Sequence, residues 1–194
     1  MKNNISTGIV VALVIGLLLG YVVYPFINPS GRQAPQSQEQ GQGLKTPAQS
    51  DWTTFENEQY DISFDYPSSW TVQASTQIFE NGDVVTVQYT GEKQQANTEF
   101  YDGARFTVMV PVPTPLDLDS WVNTKFTAND QISDVNINGV AFKKVYTCGL
   151  GCSTYYHTVI NGQVYGIKVF AEGLQKAELE ATIAQILKTL VLPQ

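Results

Sequence analysis

Between Ile5 and Phe26 the chain carries no charged side chain, and Ile9 to Leu19 is almost continuously aliphatic. As a helix, that stretch would rise about 33 Å, against a bilayer core of about 30 Å. The pattern predicts one transmembrane helix within residues 1–27, with Tyr21, Tyr24 and Phe26 at its outer interface and Pro25 and Pro29 ending it. A cleaved signal peptide is the competing reading, but the apolar run is long and ends in Tyr-Pro-Phe rather than at small residues. Residues 28–50 then turn rich in Gln, Ser, Gly and Pro. They cannot bury enough surface to offset their ordering entropy, so they read as a disordered linker with a reach of about 25–30 Å.

From residue 51 the pattern changes again. Tyr60, Ile62, Phe64 and Tyr66 alternate with polar residues, the period of a strand with one buried face. Pro67 interrupts it, and Trp70 to Val72 resumes an extended run. Asn-Gly occurs at 81–82, 138–139 and 161–162, each time between β-prone runs, and each pair predicts a two-residue hairpin. The strands so joined are Thr76 to Glu80 with Val84 to Thr90, Ile132 to Ile137 with Val140 to Cys148, and Cys152 to Ile160 with Gln163 to Ala171. A further strand is expected over Ala104 to Val112. Asp119 is the expected cap of a short helix reaching Ala128. Leu174, Ala177, Leu179, Ile183, Ile186, Leu187 and Leu190 make an apolar stripe at helical spacing. Strands such as Tyr165 to Phe170 are apolar on both faces. The expected fold is therefore α+β: an antiparallel β-sheet covered by helices on both faces, forming one domain over residues 51–194 and preceded by one transmembrane helix.

The segment from Tyr60 to Trp70, with Tyr66-Pro67-x-x-Trp70 at its end, resembles the opening of the PsbP-like domains of the Mog1/PsbP-like α/β/α sandwich group. The order of strands and helices across residues 52–192 is similar to that family. The resemblance implies a non-catalytic accessory or assembly module, frequently extracytoplasmic. In physical terms Tyr66, Pro67 and Trp70 read as a fold staple, in which the proline ends the strand and the indole enters the core.

Composition narrows the function classes. Residues 51–194 hold 8 Lys and Arg against 17 Asp and Glu, a formal charge of −9. That surface repels phosphate backbones and shows no basic stripe, so no nucleic-acid partner is expected. Cys148-Gly-Leu-Gly-Cys152 bridges two predicted strands at a separation that suits a disulfide, which belongs outside the reducing cytoplasm. Together with Lys2 before the apolar run, it places the domain on the extracytoplasmic side of a cell membrane.

Zinc held by Cys148, Cys152 and the only histidine, His157, fails on strand parity, because His157 lies five residues beyond Cys152. A redox dithiol would use a shorter spacing. A Ser-His-acid hydrolase would have to be built on His157, which reads as an ordinary sheet-surface residue, and no nucleophile elbow is present. Asp117 and Asp119 read as helix-start residues rather than a calcium site. Gly16 and Gly20 form a small-residue pair through which two anchors would dimerise. The expectation is a membrane-tethered, non-catalytic binding module with no cofactor and an unidentified protein partner. An extracytoplasmic hydrolase or metal-dependent enzyme is the alternative, and a self-associating envelope protein the second.

Overall fold

A computed structural model describes residues 51–73, 82–95, 101–149 and 151–194. The anchor, the linker, the Gly16/Gly20 pair, Asn81 and the strand expected over Thr76 to Glu80 lie outside the described residues. Among the described residues no helix is long and apolar enough to cross a membrane.

The chain opens with a strand that the hydrophobic pattern does not announce. β1 (Trp52–Asn57) pairs antiparallel with β2 (Ile62–Pro67), forming a separate two-stranded sheet. β1 is mostly exposed and too polar to show alternation, whereas β2 buries Ile62, Phe64 and Tyr66 as its period predicts.

The main sheet begins with β3 (Thr71–Gln73), β4 (Asp83–Thr90) and β5 (Gly103–Met109), all antiparallel. The expected strand over Ala104 to Val112 breaks at Val110 and Pro111. It resumes only as β6 (Val112–Pro113), because proline offers no N–H to the ladder. After α1 (Leu118–Lys125) come two hairpins, β7 (Gln131–Ile137) with β8 (Val140–Cys148), and β9 (Cys152–Ile160) with β10 (Gln163–Glu172). Both turn where Asn-Gly predicts. φ is 52° and 85° at Asn138 and Gly139, and 51° and 72° at Asn161 and Gly162. Ile137 pairs directly with Val140, and Ile160 with Gln163. The order across the sheet is β3-β4-β5-β10-β9-β8-β7, with β6 added to β10.

α2 (Lys176–Thr189) buries Leu179, Ile183, Ile186 and Leu187, the stripe read from the sequence. Leu174 and Ala177, assigned to that stripe, are instead exposed, the leucine to 77%, because the positive φ of Gly173 sets a turn before the helix starts and the first turn of α2 faces outward. The end of α2 is tied to the small sheet: the Asp65 N–H donates to Thr189 Oγ1 at 2.8 Å, and Ser63 bridges to Val191. α1 is capped by Asp117 and not by Asp119. The Asp117 carboxylate accepts the Ser120 N–H at 2.7 Å, which holds its pKa below the ordinary value. The helix stops at Lys125, short of Ala128, because Phe126 leaves it in an extended conformation and packs against the sheet.

Strand parity distributes these elements between the two faces. Phe106, Val169 and Ile167 share one face, where Phe64 of β2 meets Phe106 at 5.0 Å and α2 also packs. His157 and Gly166 share the other, beneath α1. Cover is unequal. One face carries α2 and the β1–β2 pair, whereas the other carries a single eight-residue helix over β8 and β9 in place of a full helical layer.

Candidate functional site

Tyr66, Pro67 and Trp70 are all buried, the tryptophan to 5% exposure. The Trp70 N–H donates to the Pro67 carbonyl at 2.9 Å, closing the turn, and its ring lies 6.3 Å from that of Tyr89. The motif sits within the core, with its ring packed against another side chain.

Cys148 and Cys152 form a disulfide across the β8–β9 tip, with Cα atoms 4.1 Å apart. Closing so small a loop stabilises the chain by about 2 kcal/mol at most. Urea unfolding of Cys148→Ser with Cys152→Ser is expected to show a loss no larger than that, and a loss well above it would mean that the bridge holds more than its own hairpin.

His157 departs from the surface reading. It is 2% exposed, and among the described residues neither Nδ1 nor Nε2 has a hydrogen-bond partner. Trp121 and Phe126 of the α1 region cover it at 4.7 and 5.6 Å, and Tyr155 stacks alongside at 5.9 Å. Gly166 stands directly opposite on β10, and a Cβ there would lie 3.1 Å from Nδ1. Burial alone pushes the imidazole pKa down to about 4. The ring lies on the face away from Cys152, whose sulfur is bonded to Cys148. Asp117 and Asp119 also part company: Asp119 reaches Lys143, which bridges to Asp134 at 2.6 Å. Among the described residues no group of three or more His, Cys, Asp or Glu is placed to hold a metal.

What the sequence did not reveal is a cleft of about 560 Å³ beside α2. α2 lies over β5 and β10, and sheet twist carries β7, β8 and β9 away from its axis, leaving their α2-facing side chains uncovered. The floor has two rows across three strands. Ser133, Lys144 and Tyr156 are consecutive partners in register, as are Gln131, Tyr146 and Thr154. The helix wall supplies Lys176 and Glu180 near its start, then Ile183 and Leu187 deeper in. Lys176 donates to Glu172 at 3.2 Å, and that hydrogen bond raises its pKa. The Tyr156 hydroxyl is pushed up by burial and then by the Glu180 charge, so it stays protonated and can donate. The signal missed was the register: the two-residue Asn138-Gly139 turn alone aligns Ser133 with Lys144.

No family model matches the chain, and no curated protein matches it in sequence. Among solved structures it is similar to the PsbP protein (CyanoP) of the cyanobacterium Synechocystis, with a TM-score of 0.46 and 9% identity, over 77% of this chain and 99% of that one. It is also similar to a protein of Bacteroides thetaiotaomicron, with a TM-score of 0.42 and 13% identity, over 73% of this chain and 48% of that one.

Proposed function

We propose that this chain is a membrane-tethered, extracytoplasmic binding or assembly module of PsbP-like type, which docks a protein partner in the cleft between α2 and β7–β9. One observation carries the reading: the cleft, at about 560 Å³, is open and lined by hydroxyl, amide and ammonium groups, while the sole histidine is sealed on the opposite face. A cleft of that size with a row of polar groups on its floor and an apolar wall from α2 suits recognition. The Tyr66-Pro67-x-x-Trp70 resemblance and the largely antiparallel sheet with two helices support an accessory role. The apolar run over Ile5 to Phe26 supports the tether, and the Cys148–Cys152 bridge supports an oxidising compartment.

Site-specific photocrosslinking in native membranes tests this. A photoreactive side chain at Ser133, on the cleft floor, is expected to give a discrete protein adduct, whereas the same group at Asn123, on the exposed side of α1, gives none. Equal labelling from both positions, or no adduct at Ser133, would dismiss the cleft as the docking site. Proteolysis of intact cells checks the sidedness in the same preparation, since only an extracytoplasmic domain is cut.

A further inference from the structure

Building on the binding reading above, we propose that the cleft takes an otherwise uncharged peptide segment by a single carboxylate, which pairs with Lys144. The argument begins with that lysine's isolation. Lys144 is half-buried on the cleft floor, and its ammonium has no ion pair or hydrogen bond among the described residues. Its neighbours in sequence and space are satisfied: Lys143, on the other face, bridges Asp119 and Asp134, and Lys176 holds Glu172. An ammonium on the floor of a cleft, without a counter-ion, stands out in a domain with such an excess of acidic side chains. A carboxylate would remedy it through a charge-assisted hydrogen bond.

The surrounding groups suit the same ligand. Ser133 and Tyr156 flank Lys144 as its two register partners, so hydroxyl, ammonium and hydroxyl form one row across the floor. The Tyr156 hydroxyl remains a donor at neutral pH. A carboxylate can accept from all three. Deeper in the cleft Ile183 and Leu187 offer an apolar wall for the side chain beside it.

Two features restrict the ligand to one negative charge. Glu180 stands on the facing wall, close enough to Tyr156 to raise its pKa. The domain's formal charge of −9 repels an acidic run at long range. A single carboxylate in an uncharged segment gains the short-range pair without most of that repulsion. Both an Asp or Glu side chain and a chain's own C-terminus supply this chemistry.

The test uses the full chain in detergent micelles against panels of random decapeptides lacking charged residues. One panel has blocked ends and a central Glu. The second has Gln in its place, and the third keeps the Gln but leaves the C-terminus free. The expected binders come from the first or third panel, at least tenfold tighter than their uncharged counterparts, and which panel they come from identifies the source of the carboxylate. Lys144→Gln is expected to cost at least tenfold, Tyr156→Phe several-fold, and Lys143→Gln nothing. Equal binding of carboxylate-free peptides, or binding that survives Lys144→Gln, overturns the carboxylate. If that binding is still lost when Ala184→Trp fills the cleft, the docking reading stands without it. No binder in any panel overturns both.

Discussion

Acidification from pH 7 to pH 4 is expected to remove about 3 kcal/mol from the stability of the folded domain, and His157→Leu is expected to abolish that loss. The imidazole is sealed beneath Trp121 and Phe126 with both nitrogens unpartnered, and burial lowers its pKa from 6.5 to about 4. Above pH 6.5 the ring is neutral in folded and unfolded chains alike, so the stability is complete. Between 6.5 and 4 the unfolded chain binds a proton that the folded one refuses, and stability falls as the pH falls. Below 4 both states are protonated and this slope ends. A fall from 6.5 to about 4 corresponds to about 3 kcal/mol.

Two hydrogen-bonded carboxyls, Asp117 and Asp130, titrate below this window. Asp117 is held down by the Ser120 N–H, and Asp130 by the Thr147 hydroxyl and the Thr127 N–H. Their contributions are present above the ordinary carboxyl pKa and are lost only as the pH falls below it. At pH 7 His157→Leu is expected to be neutral or slightly stabilising, because it removes two unsatisfied buried nitrogens at similar volume. Urea titrations of both proteins at pH 7, 5.5 and 4 measure the difference. A profile that is flat for the natural protein, or identical for the variant, would mean that the ring is not buried as described.

The burial of His157 shows where sequence reasoning ended. The two-residue turn at Asn161 and Gly162 fixes the register of β9 on β10, and that register alone sets Gly166 opposite His157. A glycine facing a ring is a vacancy into which the ring can settle, so part of the cage was legible. Its lid was not. Trp121 and Phe126 arrive from a short helix whose docking position no local period encodes. The same division runs through the fold. α2 and the two hairpins were readable because helical spacing and positive-φ residues are local properties. β1 was not, since Trp52 to Asn57 owes its pairing to β2 and not to any alternation of its own. Asp117 and Asp119 are equally acidic at a helix start, and only geometry shows which carboxylate reaches Ser120. The cleft depends on how far the twisted sheet departs from α2, a long-range quantity. Its floor rows, by contrast, follow from hairpin arithmetic once the turns are accepted.

Gly173→Ala is expected to cost about 3–5 kcal/mol, an exceptional loss for one added methyl, and the cause lies with Asp102. That carboxylate is 6% exposed. Its Oδ2 accepts the Lys93 N–H at 3.0 Å, and the Asp102 backbone N–H donates to Gln94 Oε1 at 2.8 Å. Gly91 and Gly173 leave the space it occupies: a Cβ on Gly91 would fall on Oδ2, and one on Gly173 on Oδ1. Gly173 also has φ +98°, a conformation that costs an L-residue about 1–3 kcal/mol by itself. Displacing the carboxylate adds about 1–3 kcal/mol for the orphaned amide. The two contributions separate in a double-mutant cycle. In an Asp102→Ala background, Gly173→Ala should retain only the backbone strain. Gly91→Ala, which has no positive φ to maintain, should become nearly neutral there. Additive losses in both pairs would show that the glycines serve their turns and not the carboxylate. The site matters beyond stability, because the Lys176 N–H donates to the Gly173 carbonyl at 3.3 Å and so sets the first turn of α2. A shift at Gly173 moves Lys176 and Glu180 together. Binding in the cleft is therefore expected to weaken in Gly173→Ala even under conditions where the variant remains folded.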